Sequence, residues 1–375
     1  MRLARGLVAV LALALPALVV APAHAAAPTP AKVVAAAPFP GHGAADTAVT
    51  PDGRILVVKT NAGLTTYAIG PSAMKRLGTT RLPGANSYKM LLLRGGRYAY
   101  LVREHTEEIL KIYDLRGRAP RLVRTVKLVA QPQYRDVRDA VLTPDGRQLV
   151  IVTEMFIQTY LLGDPTRPRV AKRTSLISDT RTIAVSPDST QLLLDDRVGG
   201  AALYRLTLRR DGSISGADDG YTEYLVPGWE DRRYLSRITE LNYSPGGASV
   251  FAEIQSPVEP GSTRVTSAVA RIRISDMTMV RSLVAPDDAQ QYFLQTRSNN
   301  GARVYLTSGD TSDQQELLPR RALWVDGTNL AVRHYVSGLG DVRSLAVSPA
   351  GRTRGRLFAA AVRNDRHLVL EVDPR

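Results

Sequence analysis

Apolar residues in this chain fall into short blocks at 55–58, 149–152, 192–194, 250–252 and 357–362, each just downstream of a turn signature. The turns are Val49-Thr50-Pro51-Asp52-Gly53, Leu142-Thr143-Pro144-Asp145-Gly146 and Val185-Ser186-Pro187-Asp188. Worn copies stand at Tyr243-Ser244-Pro245-Gly246-Gly247 and Val347-Ser348-Pro349-Ala350-Gly351. In such a turn Ser or Thr bonds back to the chain, Pro pre-sets φ, Asp tolerates the third position and Gly closes it without steric cost. Residues two and four ahead of the Pro are mostly apolar, and the one between is small at Ala48, Ala184 and Ala346. A short apolar run bounded by turn residues predicts a strand covered on both faces. Each unit therefore reads as a hairpin with a narrow first strand and a fully covered second.

A third strand is marked by Thr66-Tyr67, Ile112-Tyr113, Thr159-Tyr160, Leu203-Tyr204 and Leu323-Trp324. The first four tyrosines are 46, 47 and 44 residues apart. Four strands at that period predict the blades of a propeller. Successive turn prolines are 93, 43, 58 and 104 residues apart, so each long gap holds one degenerate unit, at 90–102 and 292–306. The total is seven. Fourth strands are expected near 76–82, 122–128, 170–177, 221–226, 279–284 and 331–336. The last unit has no room for its own, and the spare strand-like segment is Lys32-Val33-Val34-Ala35-Ala36. The fold expected is all-β: a seven-bladed β-propeller of four-stranded blades, spanning 26–375, its last blade closed by an N-terminal latch strand at about 31–37.

Ahead of it, a basic stretch with Arg2 and Arg5, an apolar run at 7–20 and Ala23-His24-Ala25 have the form of a secretory signal peptide, residues 1–25, cut after Ala25 or Ala27. Nothing later approaches a membrane-spanning apolar run. The expected location is extracytoplasmic and the expected state a monomer. With no cysteine, the chain has neither disulfides nor thiolate metal sites.

Loss of Arg2 and Arg5 lowers the formal charge from +14 to +12, and Arg outnumbers Lys 42 to 7. Such a charge admits anionic wall polymers or lipid headgroups as partners. Many cations, among them Arg121, Arg124, Lys127, Arg169 and Lys172, fall in the expected fourth strands, where charge guards an edge. With no aromatic ladder among the basic residues, nucleic acid is not an expected partner.

Loops leading into first strands gather round one mouth of a propeller's channel. They carry Asp46, Arg135, Asp136, Arg138, Asp179, Arg181, Arg237, Asp341 and Arg343. Asp-x-Arg at equivalent positions would alternate charge round the mouth, either stapling neighbouring blades or forming a polar cup for a zwitterionic or peptide ligand. Trp229, Glu230, Asp231, Arg232 and Arg233 form the longest such loop. Trp229 is there either a contact residue or a plug between blades. Glu154, Asp195 and Asp196 are expected at the opposite mouth.

No hydrolase, zinc-protease or phosphate-loop motif is present. Ser72-Ala73-Met74-Lys75 falls between strands, and His42, His105, His334 and His367 lack ligand spacing. Asp211-Gly212-Ser213 starts like a calcium loop but lacks its acidic twelfth position, so it reads as a hairpin turn. No cofactor is expected, calcium being the one candidate.

Ala-Val-Ser-Pro-Asp followed by an apolar strand, at 184–194, resembles the repeats of TolB-like, YVTN-type and WD-repeat propellers. Lys111-Ile112-Tyr113-Asp114-Leu115 looks like the end of a WD repeat, and 203–213 is similar to a hairpin of lactonase-type propellers. The resemblance implies blade geometry and transfers no catalytic residue. The function expected is a secreted module that binds a protein, peptide or wall polymer. The alternative is a lactonase-like or other hydrolase at the channel mouth.

Overall fold

Each Pro-centred turn closes a hairpin by the chemistry of its own side chains. The Gly53 N–H donates to Thr50 O at 2.8 Å, and the Thr50 hydroxyl donates to Asp52 Oδ1 at 2.6 Å. Thr143 with Asp145 and Ser186 with Asp188 repeat this, the latter two 2.6 and 2.5 Å apart. These bonds hold the Asp188 carboxyl below the usual range, the Ser186 hydroxyl contributing most.

The computed structural model describes the chain from residue 29 to 373, excepting 31, 42–44, 104–108, 129–136, 154–155, 176–179, 197–199, 217–220, 225, 263, 287–289 and 311–319. Seven antiparallel sheets follow one another. Blade 1 is Asp46–Val49, Ile55–Thr60, Gly63–Ile69 and Met74–Arg81; blade 2 is Tyr88–Leu92, Tyr98–Arg103, Ile109–Asp114 and Arg121–Lys127. Blade 3 is Val137–Leu142, Gln148–Thr153, Phe156–Leu161 and Arg169–Ser175. Blade 4 is Ile183–Val185, Gln191–Asp196 and Ala202–Leu208, its outer strand split into Ile214–Ser215 and Tyr221–Glu223. Blade 5 is Arg237–Tyr243, Ser249–Pro257, Val265–Arg273 and Thr278–Val284; blade 6 is Gln290–Arg297, Arg303–Asp310, Arg321–Asp326 and Val332–Ser337. Blade 7 is Asp341–Val347, Leu357–Arg363 and Arg366–Asp373, and its fourth strand is Lys32–Pro38.

The latch is thus in place. Lys32–Pro38 pairs antiparallel with Arg366–Asp373, Ala37 opposite Val369, and Ala35 and Ala37 turn inward. Just before it, Thr29–Pro30 lies parallel to Val336–Ser337, so one short segment spans the outer edges of blades 6 and 7. The Tyr67 hydroxyl donates to Pro38 O at 2.8 Å, tying the third strand of blade 1 to the latch.

The core is divided into seven clusters, one between each pair of neighbouring blades. The period-2 alternation of a strand explains this division. Leu56 and Val58 face blade 7 while Val57 faces blade 2, so a second strand serves two interfaces and must be apolar throughout. No sheet hides its own faces, and stacking is compulsory. Radial closure follows, each first strand touching the first strand of the next blade and blade 7 touching blade 1. Fourth strands are exposed and basic, as at Arg121–Lys127 and Arg169–Ser175. Among the described residues no helix is long and apolar enough to cross a membrane.

At the turn end of the ring, the turns of successive blades touch. Gly301, at φ +71°, brings its Cα so close to Pro245 that an added Cβ would lie 2.7 Å from Pro245 Cδ. In blade 4 a serine takes the glycine place: Ser189 adopts φ 64°, and its hydroxyl accepts the Asp145 N–H at 3.1 Å.

Candidate functional site

First strands begin at the opposite mouth, and there the structure gathers Asp46, Arg138, Arg181, Arg237, Asp341 and Arg343, all half-buried. Two of the arginines sit in β-bulges, Arg138 between Val137 and Asp139, and Arg343 between Val342 and Ser344. A bulge re-aims one side chain without unpairing its neighbours. Arg135, Asp136 and Asp179 lie outside the described residues, as do the side chains of Arg232 and Arg233.

Asp341 and Arg343 pair within blade 7, because they stand two apart on one strand. Between blades, links at the mouth include lysine and backbone donors. Lys59 donates to Tyr88 O and lies 3.7 Å from Asp46, and Lys89 pairs with Asp139. Asp139 Oδ2 also accepts the Ile183 N–H at 2.9 Å, and Asp341 Oδ1 accepts the Arg320 N–H at 2.8 Å.

Asp195 is corrected in position. A hairpin returns its second strand to the mouth where the first began, so Asp195 shares the mouth of Arg181 rather than the opposite one. Its Oδ1 accepts the N–H groups of Arg181 and Thr182 at 2.6 and 2.7 Å. Burial nevertheless pushes its carboxyl up to about 7 against those donors, with Asp139 adding to the rise.

Trp229 is 4% exposed, packed among Tyr224, Val226 and Ile238 in the cluster between blades 4 and 5. The plug reading describes it. Glu230 and Asp231 are exposed on the short helical turn Glu230–Leu235 that follows.

Below the mouth lies a cavity of about 300 Å³ bounded by the first strands of blades 2 to 6. Lys89, Glu240 and Arg297 supply its charge, Asn242 an amide, and Leu91 and Ala184 part of its wall. Ala184 is one of the small residues of the repeat, so the narrow first strand makes room for the cavity. Burial drives the Glu240 carboxyl up to about 8, Asp139, Glu253 and Asp46 adding to the rise and Lys89 opposing it. Glu253, buried behind it, accepts from Leu294 N–H, Thr239 and Gln255 at 2.7, 2.9 and 2.7 Å; burial raises its carboxyl too.

Sequence reasoning missed Lys89, Glu240, Arg297 and Arg320. A signal for some of them was available: Asp46, Lys89, Asp139 and Glu240 each stand five positions ahead of Pro51, Arg94, Pro144 and Pro245. One register position therefore supplies a charged layer across four blades. Arg320 lies over the Phe293 ring at 4.0 Å, and burial and neighbouring Arg343 pull its pKa down. Among the described residues no group of three His, Cys, Asp or Glu side chains is placed to hold a metal ion.

These features define a seven-bladed β-propeller with charged residues round one mouth. A crystal structure of a protein from Lactobacillus plantarum, solved as a structural genomics target, is similar to it with a TM-score of 0.52. The two share 14% sequence identity over 77% of this chain and 85% of that one, a likeness of fold alone. No family model matches the chain, and no curated protein sequence does.

Proposed function

We propose that the chain is an exported binding module, with TolB-like or YVTN-type repeats, that takes an acidic protein segment, peptide or anionic wall polymer at its charged mouth. The leader-like residues 1–25 support the export half of this reading. The binding half rests on one observation: Arg343 lies close enough to Arg320 at the mouth to lower the proton affinity of the Arg320 guanidinium, with Asp341 beside both. Like charges held together near a concave opening attract an anionic partner and speed its encounter. The carboxylates Asp139, Asp195 and Glu253 are already engaged by N–H, hydroxyl or lysine donors, so they add little negative charge to the mouth.

The test is retention of a polyglutamate peptide on immobilised mature protein at low and moderate salt. Wild type should retain it in a salt-dependent way, and an Arg320→Ser/Arg343→Ser variant of unchanged melting temperature should retain several-fold less. Equal retention by the two proteins would remove the mouth as the binding face.

A further inference from the structure

We propose that the channel cavity is a binding site for a small organic anion, whose carboxylate or phosphate group sits on Arg297. The repeat itself isolates this residue. Arg297 is the last residue of the first strand of blade 6 and pairs with Val304, seven positions on. The same place in the other blades is held by Val49, Leu92, Leu142, Val185, Tyr243 and Val347. Six blades thus fill it with an apolar or aromatic side chain, so packing does not call for a guanidinium.

Among the described residues Arg297 has no side-chain partner that offsets the cost of its position. It is half-buried, its guanidinium makes no hydrogen bond or ion pair among the described residues, and burial alone, with no carboxylate opposing, pulls its pKa down. It nonetheless lines a cavity of about 300 Å³, the lower end of the range for small-molecule sites. An unpaired cation in a shaped cavity suits a bidentate carboxylate or phosphate, which the guanidinium fork matches in geometry.

The rest of the wall agrees. Lys89, the second cation, is paired with Asp139 and contributes little net charge. Glu240 keeps its proton at neutral pH, so it does not repel an anion and can donate a hydrogen bond to the ligand's other end. Asn242 stands two residues further along that strand, and the aromatic Tyr243 next to it also lines the cavity. The ligand is therefore a compact anion with a hydrogen-bond acceptor remote from the group seated on Arg297.

The experiment uses the full mature chain and two probes, inorganic phosphate and succinate, with ionic strength held constant by chloride. Either probe at a hundredfold excess over its Kd should raise the wild-type melting temperature by about 3–4 °C. Arg297→Leu should lose that rise and should melt higher than wild type without anion, because an uncompensated cation has been removed. Arg297→Lys should keep part of the rise. A phosphate-only or succinate-only response supports the site and names the anion class. An equal rise in Arg297→Leu, no rise in wild type, or an Arg297→Leu protein that melts lower or does not fold would each overturn the proposal. The Arg320→Ser/Arg343→Ser variant separates this site from the mouth: the rise should persist there, and its disappearance would move the anion to the mouth instead.

Discussion

The hydroxyls of Thr47 and Ser344 lie 2.9 Å apart although 297 positions separate them in the chain, and Ser344 Oγ also accepts the Thr47 N–H at 3.1 Å. This buried pair joins the first strand of blade 1 to that of blade 7. Thr47→Val removes one hydroxyl and leaves the backbone donor satisfied, so the expected loss is about 1 kcal/mol by urea denaturation. A loss indistinguishable from zero would show that the pair is a by-product of closure by other contacts.

The latch carries far more. Deleting residues 29–40 uncovers Phe358, Ala360 and Val369 of blade 7 and leaves Arg366–Asp373 as an unprotected edge. Thermal melting should fall by at least about 10 °C, with added aggregation, given several kcal/mol of buried apolar area lost. An unchanged melting temperature would mean that the ring closes without this strand.

Gly301→Ala combines a left-handed backbone position with a 2.7 Å clash against Pro245. It should cost about 2 kcal/mol. Gly246→Ala, where an added Cβ meets nothing within 4 Å, is the control and should be near neutral. Similar losses at both positions would count against turn-on-turn contact as the constraint.

Glu240 sets a pH dependence. Its carboxyl ionises near 4.5 in the unfolded chain and near 8 in the folded one, so folding takes up a proton between those values. Stability is then full below pH 4.5 and declines as pH rises to about 8. Glu240→Gln should match wild type near pH 4 and exceed it at pH 9, by on the order of 2 kcal/mol once water in the channel is allowed for. Asp195, raised to about 7, works in the same direction, so some decline should survive the substitution. A variant less stable than wild type at pH 9 would contradict the buried, proton-holding carboxyl.

Trp229→Ala should act as a core truncation, costing about 3–5 kcal/mol by denaturant titration. A well-folded, equally stable variant would be incompatible with its burial between blades 4 and 5.

The repeat made the architecture legible because each turn states its own geometry and each apolar block its own coverage. Thr50, Pro51, Asp52 and Gly53 do locally what they do in the folded ring, and Lys32–Pro38 stood out as the strand without a unit. The mouth was half legible. Arg138, Arg181, Arg237 and Arg343 were found from loop position, yet their partners were not, because pairing depends on bulges and on which blade is adjacent. Asp195 was sent to the wrong mouth by counting from the second strand without following the hairpin back. Arg297 carried no flag of its own; only superposing the turns shows a cation where its counterparts are apolar.

Because blade 7 takes its outermost strand from residues 32–38 and the other three from 341–373, the earlier segment must stay unclaimed until the later one has been made. Six blades can assemble as the chain lengthens, while the seventh needs two segments far apart in the chain in one place at one time.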